Sequence, residues 1–284
     1  MTRQARALDL DARVEHLRDI VADLESVAVA FSGGVDSTFV LKAAVDVLGP
    51  DRVVAVTGRS PSVPQSDIED ASRMAALIGV EHVFLQTDEF ANEDYVSNPT
   101  NRCYFCKTTL YTHMWAFIAE RGLKAIVNGI NADDLGDFRP GIQAAGEFGV
   151  RSPLAEAGLT KEDIRALSRY AGLPTAEKPA SPCLSSRVQY GERITPDKLR
   201  RIESAERFLR EMGVTECRVR HHETIARIEA PPRFFALLTE SEAAARIDRH
   251  FRSLGYAYVT LDLRGFRSGS MNEVIAFGAV QPSL

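Results

Sequence analysis

Several things are missing from this chain, and each absence removes a class of protein. No apolar run approaches the roughly 20 residues that cross a bilayer, and the opening MTRQARALDLDARVEHL is charged with no apolar signal core. The cytoplasm is therefore the expected compartment, with no membrane partner. Positive charge is not in excess: 34 basic residues face 39 acidic ones, for a net charge of -5, so no global field holds DNA by counterion release. Cysteine is scarce. Four in 284 residues, in a chain without a leader, read as thiols, metal ligands or catalysts rather than a disulfide framework. What is present is a globular composition, 45% hydrophobic and 26% charged with mean hydropathy -0.14, and at 31.3 kDa enough length for two domains.

Apolar periodicity supplies the organisation. A helical pattern over Leu10 to Leu24 precedes the short apolar run Ser26 to Phe31, of the kind buried in a parallel sheet. Helical and strand patterns then alternate, with strands predicted over Arg52 to Thr57, His82 to Gln86 and Ala125 to Gly129. Helices are predicted over Thr38 to Leu48, Gln65 to Ile78 and Cys103 to Arg121, each ended by glycine. This βαβ rhythm predicts an α/β fold with a doubly wound parallel sheet. Residues 131 to 158, rich in Gly, Asp and Pro, read as a functional loop region. After a helix at Thr160 to Ala171, the proline-rich stretch Pro174 to Tyr190 reads as a connection between domains. Beyond it, helices and a hairpin (Glu216 to His221, Thr224 to Glu229) predict a smaller α+β domain, so the expected division is 1–180 and 181–284.

Between the first strand and the next helix stands SGGVDS, Ser32 to Ser37. Glycines there let the backbone approach a ligand, and the helix start presents unpaired N–H groups to an anion. The Lys-Ser/Thr of a Walker A loop and the glycine spacing of a dinucleotide fingerprint are both absent, which excludes a GTPase-type switch and a hydride-transfer enzyme. The motif resembles the pyrophosphate loop of the N-type ATP pyrophosphatases, the group of the GMP, NAD and asparagine synthetases and the tRNA thiolases. That resemblance implies ATP cleaved between its α and β phosphates, with AMP placed on a carbonyl or carboxylate oxygen. Ser32, Gly33, Gly34, Ser37 and Thr38 would hold pyrophosphate, with Asp36 close to magnesium. Thr57 and Gly58 at the second strand's end, and Gly129 at the fourth's, would border the nucleotide.

The cysteines bear on what attacks the adenylated oxygen. Cys103 and Cys106 in NRCYFCK lie three apart at a predicted helix start, on one face, where the helix end favours thiolate. Cys183 lies in the irregular PCLSSR. A C-x-x-C with one remote Cys suits a zinc site short of a ligand, which His113 could complete, a redox pair, or a three-thiolate iron-sulfur cluster with one iron open. Cys217, alternating on a predicted strand, reads as a buried core residue, as do Trp115 and Phe117.

SGGVDS, NRCYFCK, GINADDLGDFRPG, PCLSSR, RVRHHETIARIE and GFRSGSMNE together resemble the LarE family, the pyridinium-3,5-biscarboxylic acid mononucleotide sulfurtransferases, over nearly the whole chain. The resemblance implies that ATP adenylates a carboxylate of the mononucleotide and that sulfur replaces oxygen, giving a precursor of the nickel-pincer nucleotide of lactate racemase. It implies two kinds of member. One spends the sulfur of a single cysteine, matching Cys183. The other adds the C-x-x-C pair and a 4Fe-4S cluster, held here by Cys103, Cys106 and Cys183. The three positions favour the cluster-dependent kind, fed by sulfide or a sulfur-delivery protein, in a homo-oligomer such as a hexamer.

A substrate with two carboxylates and a phosphate needs cations. Within these motifs stand Ser186, Arg187, Arg218, Arg220, Arg264 and Arg267, with Ser185, Ser268 and Ser270 nearby, and the resemblance adds Glu206 as a polar contact. Arg218 and Arg220, two apart, project from one strand face, which reads either as a phosphate pocket or as a solvated basic face. Asp133, Asp134 and Asp137 follow the fourth strand and either position magnesium, Asp133 beside the ATP, or form turns. The rival readings are a cluster-dependent tRNA thiolase, disfavoured by the net charge, an ammonia-using adenylating synthetase, and a nucleotide-binding module without activity.

Overall fold

The computed structural model describes residues 3–136, 140–267 and 270–272, with side chains from Asp9 to Met271. Asp137 and Ser268, singled out above, lie outside the described residues. The described residues fall into two units, those up to Tyr95 with those between Asn101 and Ser181, and Val96–Thr100 with those from Pro182 onward.

In the first unit, α1 (Arg3–Ala22) leads to β1 (Val27–Ala30), and α2 (Val35–Leu48) to β2 (Val53–Arg59). Then come α3 (Gln65–Ile78), β3 (Glu81–Gln86), a single turn α4 (Glu93–Val96), α5 (Arg102–Arg121) and β4 (Ala125–Val127). The four strands form a sheet in the order β3-β2-β1-β4, every neighbour pair parallel, as the alternating pattern predicts. Period-2 alternation divides the strand residues between its faces. Val27, Val29, Ala55 and Val127 join a core with α1, α2 and α3, and Ala28, Val54, Val56 and Ile126 join another with Tyr111, Met114 and Ile118 of α5. Burial on both faces explains why these strands read as continuous apolar runs.

The expected loop region is a correction. Residues 131 to 158 contain α6 (Pro140–Glu147) and α7 (Pro153–Glu156), ahead of α8 (Lys161–Tyr170). Glycine and proline hid them, but Ala144 and Ala145 of α6 are buried with α5, and Leu154 of α7 with α1 and α2. Packing outweighs weak helix propensity. Trp115 is also a correction: it is 38% exposed, with its indole N–H donating to the Phe148 carbonyl.

In the second unit, α9 (Pro196–Glu211) packs against a sheet ordered β5-β6-β7, made of β5 (Arg218–His222), β6 (Ile225–Glu229) and β7 (Tyr258–Leu261). The β5–β6 hairpin is antiparallel, β6–β7 parallel, and α10 (Phe235–Thr239) and α11 (Ser241–Ser253) lie between those strands in sequence. Its core holds Ala205, Leu209, Val219, Ile228, Ile247 and Phe251. Cys217 belongs to it, and burial pushes that thiol up to about 12. The early excursion Val96–Thr100 is tied in through Asn98, whose Nδ2 donates to the carbonyls of Gln189 (2.7 Å) and Glu192 (3.2 Å).

Candidate active site

The pyrophosphate-type loop follows β1. Gly33 holds φ +66°, and a Cβ on it would stand 2.9 Å from the Ala71 backbone of α3, so both conformation and space require glycine. Gly34 is the N-cap of α2 with no side-chain cap. The first N–H groups of α2 therefore keep the capacity to bind an anion. The Ser37 hydroxyl accepts the Ser32 N–H at 3.3 Å and lies 3.1 Å from Ser32 Oγ. Thr38 is fully buried and its Oγ1 has no partner, a hydroxyl left over inside the loop's foundation. Gly129 lies against the same helix start: its Cβ would meet Ser37 N at 2.7 Å. At the end of β2, Thr57 Oγ1 donates to the Phe31 carbonyl at 2.7 Å and takes a hydrogen bond from His82 Nε2 at 2.8 Å. Burial holds His82 below its ordinary pKa, so the neutral ring fits that role.

Around the loop stand two lysines, Lys161 and Lys178, that the sequence pattern did not single out. Asp36 is ion-paired with Lys161 of α8, and Asn131 Nδ2 donates to its other oxygen at 3.4 Å. Lys161 opens α8 behind a capping box formed by Thr160 and Asp163, and its backbone N–H donates to Asp133 at 2.8 Å. Asp133 and Asp134 thus serve local hydrogen bonding, Asp134 accepting the Asn131 N–H at 3.1 Å. Lys178, in the segment after α8, donates to the Gly33 carbonyl at 3.1 Å and pairs with Asp70 of α3 at 2.9 Å.

Cys103 and Cys106 stand in the first turns of α5, the former exposed and the latter half-buried; neither forms a disulfide. His113 is paired with Asp88 at 2.9 Å rather than turned to the thiols. Within neither unit do three His, Cys, Asp or Glu side chains among the described residues gather as metal ligands would.

The second unit carries Cys183 and the arginines. Cys183 is half-buried and caps a single turn, Leu184–Arg187. Arg187 is 1% exposed and pairs with Glu206 at 3.0 Å, while its Nη1 donates to the Cys183 carbonyl at 2.8 Å. Burial by itself would raise the Glu206 pKa. The charge and hydrogen bonding of Arg187, the charge of Arg218 and the Val219 N–H outweigh it and hold the carboxyl below its usual range. Arg220 donates to Glu229 at 2.8 Å, to the Ser186 carbonyl at 3.0 Å and to Ser270 at 2.9 Å. Arg218 lies over the Phe266 ring at 5.2 Å, and burial, then repulsion from Arg187, lowers its pKa. Arg267 reaches Asp262 at 3.3 Å, and Arg264 is exposed. The two strand arginines are therefore not a solvated face. Six guanidiniums (Arg187, Arg210, Arg218, Arg220, Arg227 and Arg267) share three carboxylates (Glu206, Glu229 and Asp262), and the cationic surplus suits an anionic ligand.

Comparison with known proteins places these features. The NAD synthase family profile matches residues 10–96, which include the loop. An uncharacterized protein of Synechocystis is 46% identical over 266 residues, 94% of this chain and 99% of its own. Pyridinium-3,5-bisthiocarboxylic acid mononucleotide synthase of Lactiplantibacillus plantarum is 41% identical over 255 residues, 89% of this chain and 91% of its own. The chain belongs to the LarE family. A tRNA-specific 2-thiouridylase of Xanthobacter autotrophicus shares 31% identity, over 55% of this chain and 49% of its own length. The LarE match spans both units, whereas all but the last residue of the NAD synthase match lies within the first.

In this LarE-family chain the sequence reading missed Lys161, Lys178, Asn131 and Glu229. Lys161 left a signal in standing one residue after the Thr160 N-cap of a capping box, and Asn131 and Glu229 stand within the motifs GINADDLGDFRPG and RVRHHETIARIE, whereas Lys178 left none.

Proposed function

We propose that this chain is an ATP-dependent sulfur transferase acting on pyridinium-3,5-biscarboxylic acid mononucleotide. The observation that carries the reading is the match to the L. plantarum synthase over both units. The loop geometry is consistent with it. A substrate carboxylate attacks the α phosphorus of ATP, the bond to the β phosphate breaks, and pyrophosphate leaves. The uncapped start of α2 and the hydroxyls of Ser32 and Ser37 would receive its charge, with Thr38 buried beneath them. Sulfide then adds to the acyl adenylate, AMP departs with the former carboxylate oxygen, and a thiocarboxylate remains. Asp36, which here pairs with Lys161, would be the carboxylate that holds magnesium, an ion that would offset phosphate charge. The arginines Arg187, Arg218 and Arg220 would take the substrate's phosphate and second carboxylate, with Ser186, Glu206, Arg264 and Arg267 around them.

Cys103, Cys106 and Cys183 are proposed to hold a 4Fe-4S cluster. The donor set fits. Cβ atoms three apart on a helix stand about 5–6 Å from each other, beyond the about 3.5–4.5 Å of a disulfide, a spacing better suited to thiolates on a shared metal group. When bound, the cluster supplies an iron with an open position for sulfide. Sulfide or a sulfur-delivery protein would be the source, in a cytoplasmic homo-oligomer. No helix among the described residues is long and apolar enough to cross a membrane.

The test is anaerobic reconstitution with iron and sulfide, then incubation with ATP, magnesium and the mononucleotide. AMP, pyrophosphate and a thiocarboxylate product are expected over several turnovers, with the mass of Cys183 unchanged. Loss of hydrogen sulfide from Cys183 after one turnover would show the sacrificial route instead. ATP cleavage stimulated only by ammonium, or by bulk tRNA, would overturn the assignment.

A further inference from the structure

Nothing in the proposed chemistry uses Lys178, yet its side chain is attached directly to the backbone of the anion loop. Its side chain is 19% exposed, and the ammonium bridges two groups, the Gly33 carbonyl at 3.1 Å and Asp70 Oδ2 at 2.9 Å. The lysine is itself fixed in place. Arg165 of α8 donates to its carbonyl at 3.2 Å and to that of Ala176, and three residues on Ser181 donates to Asp67 of α3 at 2.9 Å. Behind the loop, the Ala71 backbone occupies the space a Cβ on Gly33 would need. Three residues of α3, Asp67, Asp70 and Ala71, thus brace the loop and the segment beside it.

The Gly33 carbonyl matters because of what shares its peptide plane. A trans peptide holds C=O and the next N–H antiparallel, so the direction of the Gly33 carbonyl fixes the direction of the Gly34 N–H. Gly33 at φ +66° and Gly34 at φ -85° have no Cβ to restrict that plane, and the Gly34 N–H has only a long contact, 3.4 Å, to Ser32 Oγ. Left alone, the diglycine would rotate among several orientations, and anion binding would have to select one of them.

We propose that Lys178 is a positioning residue for the pyrophosphate site: held by Asp70, it grips the Gly33 carbonyl so that the Gly34 N–H stays turned to the anion. This rests on the reading of SGGVDS as a pyrophosphate loop and assigns Lys178 no contact with the ligand. The action is on binding of phosphate groups. AMP, which lacks the pyrophosphate, is affected least.

The test is calorimetric titration of the full chain with inorganic pyrophosphate, ATP and AMP, in wild type, K178M, K178R and D70N, with thermal melting of each. One charge-assisted hydrogen bond sets the scale. K178M is expected to lose about tenfold in affinity for pyrophosphate and for ATP by the same factor, with AMP binding within about twofold of wild type. K178R restores most of the loss, and D70N shows a smaller loss in the same direction. A K178M protein that melts like wild type and binds pyrophosphate equally well would overturn the proposal alone. A gain of pyrophosphate affinity in D70N would also overturn it, since freeing the ammonium would then have let it touch the anion directly. Wild-type protein that binds neither ATP nor pyrophosphate would overturn the loop reading as well, which separates the two failures.

Discussion

Gly129→Ala is the substitution that most directly probes how the nucleotide site is built. The added methyl would stand 2.7 Å from Ser37 N, 3.0 Å from the Asp36 carbonyl carbon and 3.1 Å from Ser37 Cα, where ordinary contact begins at 3.4 Å. All three are backbone atoms, so no side chain can rotate away. The first turn of α2 must retreat from the end of β4 by about the shortfall, 0.7 Å. Overpacking of this kind costs about 1–3 kcal/mol. The displaced atom is itself one of the anion-facing nitrogens, so the cost is expected in ATP binding as well as in stability, as an affinity loss of about 10- to 100-fold. The assay is titration with ATP beside a melting curve. Gly146→Ala in α6 is the control: nothing lies within 4 Å of its Cβ position, so this change should stabilise by about 0.5–1 kcal/mol and leave ATP binding unchanged. Gly129→Ala protein with wild-type ATP affinity would refute the close approach of β4 to the loop.

Other expectations concern the second unit and pH. Arg187→Met leaves Glu206 buried without its main partner and should destabilise by about 3–5 kcal/mol in urea unfolding, whereas R187M/E206M should recover much of that loss. Iodoacetamide at pH 8 should label Cys103, Cys106 and Cys183 in cluster-free folded protein but not Cys217, whose thiol is buried and pushed up to about 12; labelling of Cys217 by mass spectrometry would contradict the described core. Burial lowers the pKa of His82, His221 and His222, so below 6.5 the unfolded chain takes up protons that the folded one refuses. Stability should fall as pH drops from 6.5 toward those depressed values, with a shallower slope in His221→Asn. The lowered carboxyls Glu206, Glu156 and Asp163 add their own loss only below about 4.5, which urea midpoints at pH 7.5, 6.5, 5.5 and 4 would separate.

The parallel sheet was legible because its strands, buried on both faces, are unbroken apolar runs, and glycines end the helices between them. α6 was not, since PGIQAAGE carries proline and two glycines and owes its helix to two alanines packed under α5. The loop was legible as a local motif. Its lysines were not, because Lys161 stands 125 residues from Asp36 and Lys178 145 from Gly33, contacts that only the fold brings about. The arginines were found, but their neutralising partners were harder to see. The hairpin register sets Arg218 opposite Glu229 and Arg220 opposite Arg227, yet Arg220 reaches diagonally to Glu229. Alternation predicts which face a side chain takes, not which neighbour it bonds.

The pentapeptide Val96–Thr100 also has a bearing on synthesis. Asn98 leaves the ribosome long before its acceptors, which lie 91 and 94 residues further on. At about 5–20 residues per second that interval is on the order of 5–20 s. During it the Asn98 amide has neither of these carbonyls to hold, so this tie closes only once the chain past Glu192 has emerged. A gene fragment beginning at Pro182 would lack the Asn98 bonds to Gln189 and Glu192 while keeping the whole core of the second unit.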